Sequence, residues 1–157
     1  MPGQPKETAE QVLAYYLPWY EAHCRVETRP YDGILPLMER LCGQGLRLAI
    51  ISNKPDPAVQ ELAEAFFPGV LEVAVGESAA VRRKPDPDAV LHAAEQMGLK
   101  ASDCVYVGDT EVDIQTARNA GMDCITVTWG FRDEDQLLAA GAQYVAHDTA
   151  ELEALLR

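Results

Sequence analysis

The chain has 157 residues, 48% of them hydrophobic and 24% charged, and its formal net charge at pH 7 is −12. This composition is typical of a globular domain with a buried core. The acidic excess argues against binding of nucleic acid or of an anionic membrane, since both need a basic surface. No apolar run reaches the roughly 18 residues of a membrane span, and the polar N-terminal residues do not resemble a signal peptide. We therefore expect a cytoplasmic protein.

The cysteines and histidines form no recognisable metal or redox motif. The cysteines are widely separated and include no Cys-x-x-Cys pair: Cys24, Cys42, Cys104 and Cys124. This spacing predicts reduced thiols and argues against both a disulfide framework and a zinc site. The three histidines are equally scattered, and we assign no role to any of them.

The first part of the chain contains one helix and a connector. From Ala9 to Tyr20, apolar residues recur at the spacing of an amphipathic helix. Pro18 lies inside this pattern and is expected to kink or end the helix. Residues 25–33 are polar with proline and glycine, which predicts a loop. We assign residues 1–30 to a tail, this helix and the connector, and residues 31–157 to the main domain.

Beyond Gly33, helices and short apolar strands alternate. Apolar runs predict strands at 46–52, 70–75, 104–108, 124–129 and 144–146. Helical patterns lie at 34–43, 57–66, 86–97, 112–120 and 134–140, and a last helix begins at Thr149. This alternation predicts an α/β domain with a Rossmann-like parallel sheet. Since ligands bind at the carboxyl ends of the strands in such sheets, the functional residues are expected there.

Polar residues follow the predicted strand at 46–52. Ser52 and Asn53 bring a hydroxyl, an amide and backbone N–H groups to the start of the next helix. This combination suits the binding of an anion such as phosphate. Serine and asparagine also cap helices, so an ordinary N-cap is the alternative.

A lysine follows the second predicted strand. Lys84 precedes Pro85 and Pro87, which flank Asp86 and stiffen the segment. A lysine held in place in this way can neutralise phosphate charge or pair with a carboxylate. The alternative is a solvated lysine beside a helix that Asp86 caps.

Two carboxylates follow the strand at 104–108. Asp109 comes directly after Gly108, and Asp113 lies four residues later in the first turn of the next helix. Such a pair suits Mg²⁺, which binds one or two carboxylates together with water and phosphate oxygens. The alternative is that Asp109 caps the helix and Asp113 stabilises its N-terminus electrostatically. Because a cap does not require a glycine before the aspartate, we favour the metal site.

These segments resemble motifs of one enzyme family. Residues 52–54 (Ser-Asn-Lys), 84–87 (Lys-Pro-Asp-Pro) and 108–113 (Gly-Asp-Thr-Glu-Val-Asp) are similar to the second, third and fourth motifs of the haloacid dehalogenase-like superfamily of phosphohydrolases. Within it, the phosphoglycolate phosphatases are most similar, partly through Thr-Trp-Gly-Phe at 128–131. Residues 7–25 resemble the closing helix of that group's helical cap, which makes this helix a remnant of a cap.

The resemblance implies a role for each candidate residue. Ser52 and Asn53 would bind the transferring phosphoryl group, and Lys84 would stabilise its charge and orient the nucleophile. Asp109 would bind Mg²⁺, and Asp113 would either bind the ion as well or orient its other ligands. The expected activity is Mg²⁺-dependent hydrolysis of a small phosphorylated metabolite.

One motif of the family is missing. Its first motif, Asp-x-Asp-x-Thr/Val after the first core strand, supplies the nucleophile, and no such segment precedes Ser52. Asp32 lacks an apolar strand before it, and we interpret it as a turn residue. The resemblance places the missing strand at the centre of the sheet, between the strands that end near Ser52 and Asp109. We expect those neighbours either to close up or to accept another segment, because unpaired backbone groups are unfavourable when buried.

The sequence therefore leaves several hypotheses. The first is a phosphatase by lineage whose chain is inactive alone because the nucleophile is absent. The second is a non-catalytic phosphate- or Mg²⁺-binding module, or a half-site that another chain completes, with self-association through the exposed sheet. A true haloacid dehalogenase would not need the carboxylate pair at Asp109 and Asp113. A phosphorylated receiver domain would have its carboxylates near the first strand, where this chain has none.

Overall fold

The protein is described by a computed structural model that covers residues 6–157, with side chains from Thr8 onward. Most of the predicted N-terminal tail, residues 1–5, lies outside the described residues. The elements, in chain order, are α1 (Lys6–His23), α2 (Ile34–Gly43), β1 (Ala49–Pro55), α3 (Asp56–Phe66), β2 (Val73–Glu77), α4 (Asp88–Gln96), a 3₁₀ turn (Ala101–Asp103), β3 (Val105–Gly108), α5 (Glu111–Ala120), β4 (Asp123–Val127), α6 (Glu134–Ala139), β5 (Tyr144–Ala146) and α7 (Thr149–Leu155).

The strands form two parallel sheets within residues 6–157. β1 pairs with β2, and β3, β4 and β5 pair in that order. No strand pairing joins β1 to β3 among the described residues. The predicted α/β fold with parallel strands is confirmed. The sequence left two alternatives, that β1 and β3 close up or that they accept another segment, and the described strands do not form the β1–β3 ladder of the first.

Helices cover both faces of the three-stranded sheet. Neighbouring residues of β4 point to opposite faces, as in any strand. Ile125 packs with Leu37 of α2 and Leu152 of α7, whereas Cys124 packs on the side where Tyr106 meets α4 and α5. Burial of these apolar side chains is the main force that keeps the helices on the sheet.

Helix α4 contacts both sheets. Its Ala89 and Ala93 pack against Val73 and Val75 of β2, while Val90 packs against Tyr106 of β3. The two alanines let the helix approach β2 closely. The two sheets are therefore held in one body although their edge strands do not pair.

Strands β1 and β2 begin three residues later than the sequence predicts. Leu46 donates its N–H to the carbonyl of Leu41 at 3.0 Å, so it closes the end of α2. Gly45 adopts a φ of 91°, the left-handed conformation that commonly ends a helix. The ladder starts only where Ala49 lies opposite Val73. The apolar run alone could not show where pairing begins.

Helix α1 continues through Pro18 to His23, so Pro18 does not end it. Proline removes one backbone hydrogen bond, to the carbonyl four residues earlier. That carbonyl belongs to the exposed residue Ala14, where water can replace the lost donor. No helix within residues 6–157 combines the length and apolar character needed to cross a membrane.

Candidate active site

The carboxyl end of β1 is irregular. Ile51 lies opposite Val75 and Pro55 opposite Glu77, so residues 52–54 of β1 face the single residue Gly76. Such a bulge redirects side chains and is common beside active sites. A Cβ on Gly76 would lie 2.4 Å from the Asp56 Cα, so only glycine permits this close approach.

Asn53 holds the segment that carries Lys84. Its Oδ1 accepts a hydrogen bond from the Lys84 N–H at 2.8 Å, and its Nδ2 donates to the Lys84 carbonyl at 3.3 Å. Ser52 Oγ accepts from the Lys54 N–H at 3.1 Å. The N-cap of α3 is Pro55, and no side chain caps this helix. The helix-cap interpretation of Ser52 and Asn53 is therefore wrong.

Lys84 is a buried, paired lysine. Its side chain is 14% exposed, and Nζ lies 2.7 Å from Asp113 Oδ1 and 3.2 Å from the Tyr106 hydroxyl. The preceding residue differs sharply, since Arg83 is 63% exposed and pairs with Glu77 on the surface. The alternative of a solvated lysine is therefore wrong for Lys84.

Both oxygens of Asp113 already accept hydrogen bonds. Oδ1 faces Lys84 Nζ, while Oδ2 accepts from the Thr110 hydroxyl at 2.7 Å and from the N–H groups of Thr110 and Asp109 at 3.1 and 3.2 Å. Thr110, and not Asp109, is the N-cap of α5, and Asp113 completes its capping box. A Cβ on Gly108 would lie 2.2 Å from the Asp113 Cβ, so this glycine admits the carboxylate.

This environment keeps Asp113 ionised. Burial alone would raise the pKa of Asp113, but the Lys84 charge and the hydrogen bonds from Lys84 and Thr110 outweigh it and lower the pKa below its ordinary value. The same burial, together with the charge of Asp113, raises the pKa of Tyr106, which stays a neutral phenol. In this arrangement Asp113 orients Lys84 and the strand tip.

Asp109 is half-buried at the tip of β3. Its Oδ2 accepts the Phe131 N–H at 2.8 Å, and no residue within 6–157 donates a hydrogen bond to its Oδ1. A half-buried aspartate with one oxygen free of protein donors fits Mg²⁺, which retains several waters and takes phosphate oxygens. Among the described residues, no group of three or more His, Cys, Asp or Glu side chains could enclose a metal ion. The donors therefore fit an ion shared with solvent and phosphate, and not a closed site.

Hydrogen bonds connect the three predicted segments. Asn53 contacts the backbone of Lys84, Lys84 contacts Asp113, and Asp113 accepts from the Asp109 N–H. Residues more than 50 positions apart in the sequence thus meet at one edge of the two sheets.

Several residues at this site were not singled out from the sequence. Tyr106 carries its hydroxyl on an apolar strand, and Thr110 with Asp113 has the spacing of a capping box, which is a local signal. The contact between Phe131 and Asp109 has no local signal. Beside the site, Asn53 borders a groove of about 270 Å³ that α1 closes with Tyr16 and Tyr20.

The model of the haloacid dehalogenase-like hydrolase family matches residues 3–127, most of the chain. The chain belongs to this family. Phosphoglycolate phosphatase from Xanthomonas campestris pv. campestris is 36% identical over 135 residues, which cover 82% of this chain and 59% of that protein. N-acetylmuramic acid 6-phosphate phosphatase from Pseudomonas aeruginosa is 34% identical over 148 residues, which cover 91% and 64%.

A solved structure has the same fold. A protein from Lactobacillus delbrueckii subsp. bulgaricus, provisionally assigned as a phosphoglycolate phosphatase, superposes with a TM-score of 0.92 and 43% identity. The match covers 97% of this chain and 64% of that protein. The chain thus spans about three fifths of the length of the relatives that it matches.

Proposed function

We propose that this chain forms the phosphate- and Mg²⁺-binding half of a phosphatase active site of the phosphoglycolate phosphatase type. The observation that supports it is the continuous hydrogen-bonded link from Asn53 through Lys84 and Asp113 to Asp109. The relatives named above are phosphatases of small metabolites. A groove of about 270 Å³ borders Asn53, slightly below the roughly 300 Å³ at which sites for drug-sized ligands begin, so it suits only a smaller ligand.

Each residue of the proposed site has a distinct task. Ser52 and Asn53 bind and orient phosphoryl oxygens at the β1 bulge. Lys84, held by Asp113 and Tyr106, presents its positive charge to the same group, which stabilises negative charge as it develops. Asp109 supplies a carboxylate to Mg²⁺, which neutralises phosphate charge when it is bound.

The proposed site binds but does not turn over by itself. None of the strands within residues 6–157 lies between β1 and β3, where the family resemblance places the nucleophile. Asp32, the one early Asp-Gly aspartate, lies exposed in a turn before α2. Without an attacking carboxylate, phosphoryl transfer to the protein cannot begin.

The first test compares Mg²⁺ binding and phosphate release in the wild type, Asp109→Ala and the control Asp32→Ala. We expect calorimetry to show weak Mg²⁺ binding that Asp109→Ala abolishes and Asp32→Ala leaves unchanged, because Asp109 Oδ1 accepts no hydrogen bond from the described residues whereas both oxygens of Asp113 do. We expect no phosphate release from p-nitrophenyl phosphate in any of the three.

Two results would contradict this proposal. Equal Mg²⁺ affinity in Asp109→Ala and the wild type would remove the metal assignment. Phosphate release by the wild type that disappears in Asp109→Ala would show that the chain has a nucleophile outside the family pattern.

A second candidate function is a half-site that accepts one strand from another polypeptide. Among the described strands, β1 and β3 are each paired on one side only, so each has a free edge. Val105 and Val107 of β3 are 46% and 41% exposed. An edge strand with free N–H and C=O groups is a template for strand addition. Since α4 and the Lys84–Asp113 pair connect the two sheets, the edges stay oriented toward a common partner.

A synthetic peptide tests strand addition. The peptide has about six Val- and Ile-rich residues, the usual length of a strand, followed by Asp-x-Asp-x-Thr, and its matched control has both aspartates replaced by asparagine. We expect both peptides to raise the unfolding midpoint, and only the aspartate peptide to produce Mg²⁺-dependent phosphate release.

The alternatives give different results. A chain that stays monomeric and binds neither peptide has no strand site. A dimer that forms as concentration rises, and that the peptide does not dissociate, would show that a second copy covers the edges.

A further inference from the structure

The loop after β4 lies directly against the side chain of Asp109. A Cβ built on Gly130 would lie 2.1 Å from Asp109 Oδ2, 2.3 Å from its Cβ and 2.5 Å from its Cγ. All three distances are far below van der Waals contact, and all three neighbouring atoms belong to Asp109. Any side chain at position 130 would therefore displace the loop, the aspartate, or both.

Rotation of the Asp109 side chain would not relieve this overlap. The Cβ of Asp109 moves only with its backbone, and it lies 2.3 Å from the position that a Cβ on Gly130 would occupy. That backbone lies at the tip of β3, where the Asp109 N–H donates to Asp113. Substitution would thus shift either the strand tip or the loop.

The loop also holds the carboxylate by hydrogen bonding. Phe131 donates its N–H to Asp109 Oδ2 at 2.8 Å. The next residue, Arg132, binds Glu111 at the start of α5 through two hydrogen bonds of 2.7 and 2.8 Å. These bonds lower the pKa of Glu111 to about 2. The loop is therefore attached both to Asp109 and to the start of α5.

We infer that Gly130 and the Phe131 N–H position the Asp109 carboxylate for a divalent cation, an inference that rests on the proposed function. Asp109 Oδ2 accepts the Phe131 N–H, whereas Asp109 Oδ1 accepts no hydrogen bond within residues 6–157 and is available to a cation. Residues that orient a metal ligand without touching the metal typically change metal affinity strongly when they are replaced. Gly130 and Phe131 are accordingly positioning residues and not ligands.

The test measures Mg²⁺ and Mn²⁺ affinity by calorimetry and Mn²⁺ relaxation in the wild type, Gly130→Ala and Gly43→Ala. We expect Gly130→Ala to lower affinity about 10- to 100-fold. Gly43→Ala adds the same methyl group in α2, where no described atom outside the neighbouring backbone of the helix lies within 4 Å, and should leave affinity unchanged. The Phe131 amide proton resonance should move away from its hydrogen-bonded position in Gly130→Ala only.

A thermal unfolding cycle tests the contact without metal. We expect Gly130→Ala to lower the unfolding midpoint by about 5 °C in the wild type. The Asp109→Gly variant lacks the Cβ, Cγ and Oδ2 atoms that a side chain at position 130 would overlap. In that background Gly130→Ala should hardly change the unfolding midpoint. If Gly130→Ala alone does not fold, recovery of folding in the double variant gives the same answer.

The outcomes separate the inference from the proposed function. If the wild type and Asp109→Ala bind the cations equally, the metal assignment fails, and the unfolding cycle with the Phe131 resonance still decides whether Gly130 positions Asp109. If the wild type binds and Gly130→Ala binds equally well, the inference is overturned. The inference is also overturned if Gly130→Ala lowers the unfolding midpoint equally in the wild-type and Asp109→Gly backgrounds. Failure of both Gly130→Ala and the double variant to fold overturns it too.

Discussion

Asp113→Asn is expected to lower the free energy of unfolding by about 3 kcal/mol at pH 7, because removing one member of a buried ion pair leaves the other without compensation. The side chains of Lys84 and Asp113 are 14% and 6% exposed, so water cannot readily replace the lost partner. Asn also lacks the second carboxylate oxygen that accepts from Thr110 and the strand tip. Urea unfolding at equilibrium measures the change.

The loss should depend on pH. The pKa of Asp113 is lower in the folded protein than in the unfolded chain, since the Lys84 charge and the hydrogen bonds from Lys84 and Thr110 outweigh the effect of burial. The stabilisation from its ionised form is therefore present above the unfolded pKa of about 4. It disappears as the pH falls through the lower folded pKa. The difference in free energy of unfolding between the wild type and Asp113→Asn should therefore become smaller as the pH falls from about 4 through the folded pKa.

The matched control is Glu111→Gln, two residues earlier on α5. Glu111 also pairs with one basic residue, Arg132, but both side chains are substantially exposed, at 50% and 39%. Exposed pairs contribute little because water screens them. We expect only a small change in unfolding for Glu111→Gln, and an equally small change for Asp113→Asn would show that the Lys84 pair is not structurally important.

Lys84→Ala is expected to weaken the binding of vanadate or inorganic phosphate about 10- to 100-fold, the loss typical of one charge-assisted hydrogen bond. Lys84 lies between the Asn53 segment and Asp113, and in the proposed function its charge stabilises bound phosphate. Calorimetry or fluorescence titration, at a temperature where the variant is fully folded, measures the dissociation constants.

Arg82→Ala is the control for this prediction. It removes one positive charge two positions earlier, so it changes net charge equally, but Arg82 is 71% exposed, pairs with Asp86 and Asp88, and does not line the groove beside Asn53. We expect it to change the dissociation constant by no more than about twofold, since exposed charges are screened. Equal effects of the two substitutions would assign the binding to general electrostatic attraction and not to Lys84.

The order of helices and strands could be predicted from the sequence because hydrophobic periodicity is a local property. The alternation from Gly33 onward predicted the parallel α/β fold, and the motifs around Lys84 and Asp109 predicted the edge where the candidate residues meet. The exact start of β1 could not be predicted, since a strand begins where its partner begins, and Ala49 pairs with Val73.

Local chemistry left open how the candidate residues are used. A lysine before a proline can be solvated or buried, and only packing shows that Lys84 meets Asp113 and Tyr106. Ser52 was an equally good helix cap by residue type, yet the β1 bulge directs it elsewhere.

The fold class and the resemblance to the haloacid dehalogenase-like hydrolases could be read from residue types, because both depend on their fixed spacings along the chain. The lack of pairing between β1 and β3 among the described strands, and the contact of Gly130 with Asp109, became known from the three-dimensional packing. These features arise from contacts between segments far apart in sequence, and their geometry is set by how the helices pack on the two sheets.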